Sequence, residues 1–383
     1  MNAMRVGWFT PNYKLMTPTY KRLGTMLRPG IVHSSRLDQI IECVNGGGIE
    51  FWTLGDKDAG RSRFYDWVII DEASLVQKDM KDIWEQAIAP TLLDRGGNAV
   101  MAGTPKGINP ENYFYEACNA KEHPKDSKTT LWEEYHAPTW CNPTLNEAEV
   151  STLQDKYPPL VYQQEYCADF VDWSGEAFFL LENMLENGKP CIDPGIIDTV
   201  FATIDTAAKD GKENDGTAVC YWGFRKFEPQ KLYLLDWDIV QIKGALLVEW
   251  LPGVYQRLES YTKRWKVRFG SSGVLIEDRS SGVILIQQAV RNGWPVKALD
   301  GDLTQLGKTA RAINISGNVY QKQVVIMAEA YNKTVNYRGN SRNHFLSQVT
   351  GFRIGQKDEE DDLLDAFCYG VAVALGDRQG FKG

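Results

Sequence analysis

The sequence has no C-x-x-C pair, and its seven cysteines are an odd number. Both facts argue against a disulfide framework and a zinc site, and they fit a reducing cytosol. No apolar run approaches the roughly 18–20 residues that cross a bilayer, so no membrane partner is expected. The opening residues lack a signal-peptide pattern. Positive charge is in deficit: 42 Lys and Arg stand against 50 Asp and Glu, a formal net charge of −8. The whole molecule therefore has no electrostatic footprint for nucleic acid, and any such contact must come from local patches. Internal repeats and low-complexity segments are missing too. What remains is an ordinary globular composition, 43% hydrophobic and 24% charged over 383 residues. That length favours two domains.

The most informative stretch is Val200–Trp222. A short apolar run, Val200 to Ile204, ends in Asp205. A turn rich in Gly, Lys and Asp follows, then a second β-prone run from Thr217, the pattern of a hairpin. A buried strand that finishes on a carboxylate needs a metal, a basic partner or a helix end, because an unpaired buried charge is costly. Val274–Ile276 is another apolar run, and it stops at Glu277–Asp278. Asp361–Asp362 opens a helix-like run, Leu363 to Leu375, that also carries Asp365. Asp362 and Asp365 are i,i+3 neighbours and can share a helix face. Carboxylates at the ends of separate elements suit hard divalent cations. Two such ions about 3.5–4 Å apart can activate water in phosphodiester cleavage. Taken singly, each acid reads as a turn or N-cap residue.

The first half predicts strands at Arg5–Thr10, Gly48–Leu54 and Phe64–Ile70, and a helix at Pro18–Leu27. The strand ending at Ile70 runs into Asp71–Glu72. A hydrophobic strand followed by Asp-Glu is the Walker B pattern, in which Asp71 helps hold Mg²⁺ and Glu72 polarises the attacking water. The alternative is a parallel strand whose turn starts a helix with an acidic cap. Asn146–Tyr157 and Leu160–Cys167 read as helices, and a domain boundary falls at Asp172–Ala177. The second half predicts a strand at Lys231–Val240 and a helix at Gly244–Trp265 that Pro252–Gly253 kinks or breaks. A helix at Val283–Asn292 and a strand at Val296–Leu299 follow. Lys308–Arg342 carries Lys308, Arg311, Lys322, Lys333, Arg338 and Arg342, with Glu329 as its only acid. It reads as a DNA-facing surface, or else as ordinary surface helices.

In order along the chain, TIDTAAKDGKENDGTAV, VLIEDRSSG, and GKTARA with DDLLDAF resemble the nuclease domain of phage terminase large subunits, an RNase H-like fold. GWFTPNYK, GRSRFYDWVIIDEA, MAGTPKG and NPTLNEAEV with YQQEYCADF extend the resemblance over nearly the whole chain. The implied class is α/β: a P-loop ATPase-type parallel sheet domain over residues 1–172, a linker over 173–192 and an RNase H-like nuclease domain over 193–383. The resemblance implies that Asp205 bridges two ions, Mg²⁺ or Mn²⁺, that Glu277 binds one and that Asp362 binds the other. It favours the Asp361–Asp362 pair, with Asp365 in support, and places Asp215 beside the metals. Lys308 and Arg311 match a Lys…Arg motif next to the nuclease centre. Thr104, in Gly103–Thr104–Pro105, matches the hydroxyl that senses nucleotide state, although an ordinary β-turn is the alternative. The implied partners are double-stranded DNA, a small terminase subunit and the portal protein, in the cytoplasm of an infected bacterium.

One departure matters. The family begins with G-x-x-x-x-G-K-S/T, whose amides and lysine cradle phosphates. No such stretch occurs here, and Gly46–Gly47–Gly48 lacks the Lys that should follow. The domain is therefore expected to be incomplete, to bind ATP only if that segment is supplied, and to leave Val68–Ile70 on an unpaired edge. The rival reading is a non-catalytic remnant that binds DNA or the portal.

Overall fold

In the computed structural model the described residues are 3–76, 79–109, 111–119, 132–173, 177–206, 216–241, 244–279, 281–354 and 361–376. The chain forms two compact units. One comprises Met1–Ser151 with Tyr162–Asp172, the other Thr152–Val161 with Trp173–Gly383. Among the described residues no helix is long and apolar enough to cross a membrane.

The first unit is built on a sheet of β1 (Arg5–Thr10), β2 (Ile31–Ser35), β3 (Ile40–Cys43), β4 (Gly48–Thr53), β5 (Trp67–Ile70) and β6 (Asn98–Met101). Its order is β2-β3-β4-β1-β5-β6. The last four strands in that order run parallel, and β2 and β3 add an antiparallel extension. The expected unpaired edge at Val68–Ile70 is not what forms. β5 is hydrogen-bonded to β1 on one side and β6 on the other, and Val68 and Ile70 are fully buried. The hydrophobic run is paired by β1, far back in the sequence, and by β6, the next strand, and among the described strands β6 takes the edge.

Helix α1 (Tyr13–Met26) starts five residues before the position predicted from Pro18. The Asn12 side chain explains this, because it accepts from the Lys14 and Leu15 amides as an N-cap. Met16, Tyr20 and Leu23, one face of that helix, pack on Ile41 and Phe51.

The second unit holds β7 (Thr199–Asp205), β8 (Thr217–Arg225), β9 (Lys231–Val240), β10 (Ser271–Ile276), β11 (Val296–Ala298) and β12 (Val324–Ile326). They order as β11-β10-β7-β8-β9-β12. β7, β8 and β9 form an antiparallel meander, while β10 and β11 continue beside β7 in parallel. This is the RNase H-like arrangement, with β12 added parallel to β9.

Alternation along β7 decides what each face does. Val200, Ala202 and Ile204 pack with Leu247, Leu251, Val254 and Leu258 of α2 (Gly244–Arg264) and with Leu285 and Ala289 of α3 (Ser281–Arg291). The opposite face receives α4 (Lys308–Tyr320), α5 (His344–Gly351) and α6 (Asp362–Leu375). α6 is buried almost throughout. The Trp222 indole donates to Thr203 Oγ1 at 2.9 Å, and Thr203 Oγ1 donates to the Ala366 carbonyl at 2.7 Å. Strand and helix are thereby tied together within two residues of Asp205.

Two expectations need correction here. α2 runs unbroken through Pro252. A proline cannot serve the carbonyl four residues earlier, and that carbonyl, of Val248, accepts instead from Gln288 Nε2 of α3 at 2.6 Å. The stretch expected as a linker is packed into the second unit. Phe178 and Phe179 meet Phe352 and Phe367, and the Cys191 amide donates to the Ile326 carbonyl.

Candidate active site

Register brings the first two acids abreast. Ile276 of β10 lies opposite Ile204 of β7, so Glu277 and Asp205 leave the C-terminal ends of two parallel neighbours side by side. Ile204 and Ile276 face α2 and α3, so the residues that follow them face α6. The first turns of α6 then supply Asp361 as the N-cap residue, Asp362 and Asp365. Gly216, at the start of β8, has no space for a side chain, since a Cβ there would stand 3.0 Å from Asp362 Oδ2. Five acids from three separate stretches of chain thus meet on one side of the sheet.

Asp205 and Glu277 are buried, at 9% and 8% relative exposure. Burial drives the Asp205 carboxyl well above its ordinary value. Asp365, Asp362 and Glu277 push it the same way, and Arg311 opposes them. Asp365 is raised to about 6, first by burial, with Arg311 opposing and Asp361 reinforcing.

Basic groups of α4 reach into this cluster. Lys308 pairs with Asp361, and Arg311 Nη2 pairs with Asp365 Oδ2 at 2.6 Å. The other oxygen, Asp365 Oδ1, is buried with no hydrogen-bond partner. Among the described residues no three His, Cys, Asp or Glu side chains close to ion-binding distance. Two of the acids, Asp361 and Asp365, are instead engaged by the α4 cations. The donor set nevertheless fits a hard cation: an orphaned carboxylate oxygen beside a desolvated aspartate with excess negative charge is what a divalent ion would satisfy.

The basic segment divides differently from its sequence reading. Arg311 does not face DNA; its guanidinium is buried between Asp365 and Tyr369. Lys333 is likewise committed, to Asp236 at 2.9 Å and over the Trp237 ring. Lys322 sits in left-handed backbone at φ 58°. The Arg338 guanidinium lies over Tyr337, and Arg342 Nε donates to His344. Asp215 lies outside the described residues.

Two residues of the cluster escaped sequence reasoning. Tyr369 follows Asp362 and Asp365 at positions i+7 and i+4, and its hydroxyl donates to Glu277 Oε2 at 3.3 Å. The 3–4 spacing along one helix face was the available signal. Gln348 of α5 accepts the Leu363 amide at 2.8 Å and so steadies the start of α6; nothing local marks it.

The first unit has its own acidic pair, also where parallel strands end. The Asp71 amide donates to the Phe9 carbonyl, and the Ala73 amide donates to the Ala102 carbonyl. Between them Glu72 is held in left-handed backbone, φ 54°, a conformation that costs energy and concentrates at functional sites. Burial and Asp71 raise its carboxyl, and Lys106 opposes them. Lys106 Nζ also pairs with Glu165 at 2.9 Å. Gly103 approaches so closely that a Cβ would stand 2.9 Å from Ser74 Oγ, and Thr104 follows it.

No protein-family model matches the sequence. Among curated proteins, the large terminase subunit of Thermus virus P23-45 is 31% identical over 135 residues, 33% of this chain and 27% of that protein. The large terminase subunit of Escherichia phage T5 is 25% identical over 171 residues, 44% of this chain and 37% of that one. The chain's matches thus span between about a quarter and two fifths of these relatives' length. Among solved structures, a large terminase from a thermophilic bacteriophage matches 98% of this chain and 87% of its own, with a TM-score of 0.63 at 15% identity. The same terminase with ATP-gamma-S gives a TM-score of 0.64 at 16% identity.

Proposed function

We propose that this chain, a relative of the large subunits of phage terminases, is a metal-dependent endonuclease that cuts double-stranded DNA during genome packaging. The observation that carries the reading is the convergence of Asp205, Glu277, Asp362 and Asp365 at one end of an RNase H-like sheet, with Asp365 Oδ1 left unpaired. Asp205, Glu277 and Asp362 would hold Mg²⁺ or Mn²⁺, with Asp361 and Asp365 in support. When bound, the ions supply an activated water and steady the departing oxygen. The protein's share is to fix the ligands on rigid elements and to keep the cluster largely dry, with Lys308 and Arg311 offsetting part of its charge. Lys308, Lys322, Arg338 and Arg342 would meet phosphates, which position the duplex without reading its sequence. Targeting then falls to a small terminase subunit, and docking to the portal, in the host cytoplasm.

In the first unit, Asp71, Glu72 and Thr104 lie where open α/β sheets bind ligands, beyond the carboxyl ends of parallel strands. They would serve a packaging ATPase. The sequence holds no phosphate cradle of the G-x-x-x-x-G-K-S/T type, so this chain alone is expected to turn over ATP weakly or not at all.

The test is nicking of supercoiled plasmid with Mg²⁺ or Mn²⁺, comparing the wild type with Asp205→Asn. Loss of nicking in a folded Asp205→Asn protein supports the reading. Equal nicking by both proteins sinks it, and so does a wild type that never nicks.

A further inference from the structure

The hydroxyl of Tyr369 sits at a junction in the acidic cluster. It accepts from Arg311 Nη1 at 2.6 Å and is 3.3 Å from Glu277 Oε2, to which it donates. Arg311 is itself clamped on Asp365 through Nη2 at 2.6 Å. Its guanidinium carbon lies 5.1 Å from the centre of the Tyr369 ring. A continuous path therefore runs Asp365–Arg311–Tyr369–Glu277, from helix α6 through α4 and back to the end of β10.

The path crosses the cluster, and each end is an acid with something to lose. Glu277 stands on the strand wall and Asp365 on the helix wall, in an environment crowded with negative charge. Without a cation, like charges push the two walls apart. Among the described residues Glu277 Oε1 also pairs with Arg279 at 3.4 Å, and Arg279 is exposed. A Glu277 released from Tyr369 would turn toward Arg279 and solvent, away from Asp205. Tyr369 is fully buried, and its ring is held by the packing of α6. Its hydroxyl thus has a fixed position from which to aim one carboxylate oxygen.

We propose that Tyr369 is a positioning residue for the metal site: it relays the Arg311–Asp365 clamp to Glu277 and sets the spacing between the strand-borne and helix-borne ligands. This rests on the metal-nuclease reading above. Groups that orient metal ligands without touching the ion typically account for 10–100-fold in affinity. A loss toward the lower end, roughly tenfold, is expected because Glu277 keeps its place on a rigid strand.

The experiment is calorimetric titration of the full chain with MnCl₂, without DNA, for wild type, Asp205→Asn, Tyr369→Phe and Arg311→Lys. Thermal melts in EDTA accompany it. Wild type should bind Mn²⁺ and Asp205→Asn should not; absence of wild-type binding refutes the metal site itself, whatever Tyr369 does. Given wild-type binding, Tyr369→Phe should weaken Mn²⁺ affinity roughly tenfold. In nicking assays it should raise the half-saturating Mn²⁺ concentration while the rate at saturating Mn²⁺ stays near wild type. Unchanged Mn²⁺ affinity in Tyr369→Phe overturns the proposal, even if its melt is lowered, because a packing role alone would move only the melt. If Tyr369→Phe fails to fold, Arg311→Lys decides. It keeps a charge on Asp365 but cannot also reach the phenol, so weaker Mn²⁺ binding supports the relay and wild-type binding refutes it.

Discussion

A Cβ placed on Gly370 would stand 2.2 Å from Nε1 of Trp222. Helix α6 comes this close to β8 because position 370 carries no side chain, and the closeness lets the indole reach Thr203 and Thr203 reach α6. Gly370→Ala forces the helix off the sheet or the indole out of its bond. The expected result is a loss of about 1–3 kcal/mol from overpacking. Urea unfolding of the full chain, followed by tryptophan fluorescence, checks it. A variant as stable as wild type would mean that the helix can shift freely.

The Val248 carbonyl, which Pro252 has no amide to serve, offers a second test. Gln288→Leu keeps the volume near Val248 but removes the donor that replaces the missing proline amide. An unpaired carbonyl costs about 1–3 kcal/mol when fully buried, and this part-buried one should sit at the low end. The melting temperature should fall, and Pro252→Ala in the same background should recover most of the loss by restoring an amide. No recovery would place the role of Gln288 elsewhere.

Metal-free stability should fall with rising pH. The Asp365 carboxyl moves from 3.8 to about 6 on folding, and Asp205 moves in the same direction. Between those values the folded state keeps a proton that the unfolded state has released. The slope of stability against pH is therefore negative from about pH 4 to pH 6, and the loss persists above it. Thermal melts in EDTA across pH 4.5–7.5 are the measurement, with added Mn²⁺ expected to reverse the trend because it binds the ionised form. A metal-free protein that gains stability toward pH 7 contradicts the cluster's electrostatics.

Arg311 and Lys322 should separate cleanly. Arg311→Ala leaves Asp365 buried without its partner, and breaking such a pair costs about 3–5 kcal/mol. Lys322→Ala should leave stability within about 0.5 kcal/mol and lower the salt dependence of DNA binding by about one unit of slope. Unfolding curves and salt-dependent fluorescence anisotropy report the two. An Arg311→Ala protein of wild-type stability would return that residue to the DNA-facing surface.

Much of this architecture was legible because the chain marks it locally. Arg5–Thr10 and Lys231–Val240 form strands with the boundaries that their apolar runs indicate. Asp205 and Glu277 stood out as carboxylates closing apolar runs, and the register of β7 against β10 places them together. What remained hidden depends on partners distant in sequence. Gln288 completes a helix that Pro252 was expected to kink or break, by reaching the Val248 carbonyl forty residues away. Arg311 looked like a surface cation because its neighbours are basic, yet it turns inward to an aspartate 54 residues on. Pairing of β5 on both sides could not be read from its own residues, since β1 and β6 supply it. The start of α1 lay in a capping side chain, Asn12, that a search for apolar periodicity passes over.

The bond from Thr203 to the Ala366 carbonyl joins residues 163 positions apart, and the link from Tyr369 to Glu277 closes over 92. Contacts of such long range form late, because a large loop must close before they return anything. The acidic centre is therefore a clock as well as a site. While the chain is being synthesised, β7 and β10 can pair as soon as both exist, but the helix bearing Asp362 and Asp365 has yet to arrive. On the nuclease function proposed above, cutting competence would appear only after nearly all of the described chain has been made, and a nascent or 3′-truncated product would carry Asp205 and Glu277 without the helix-borne acids of the cluster.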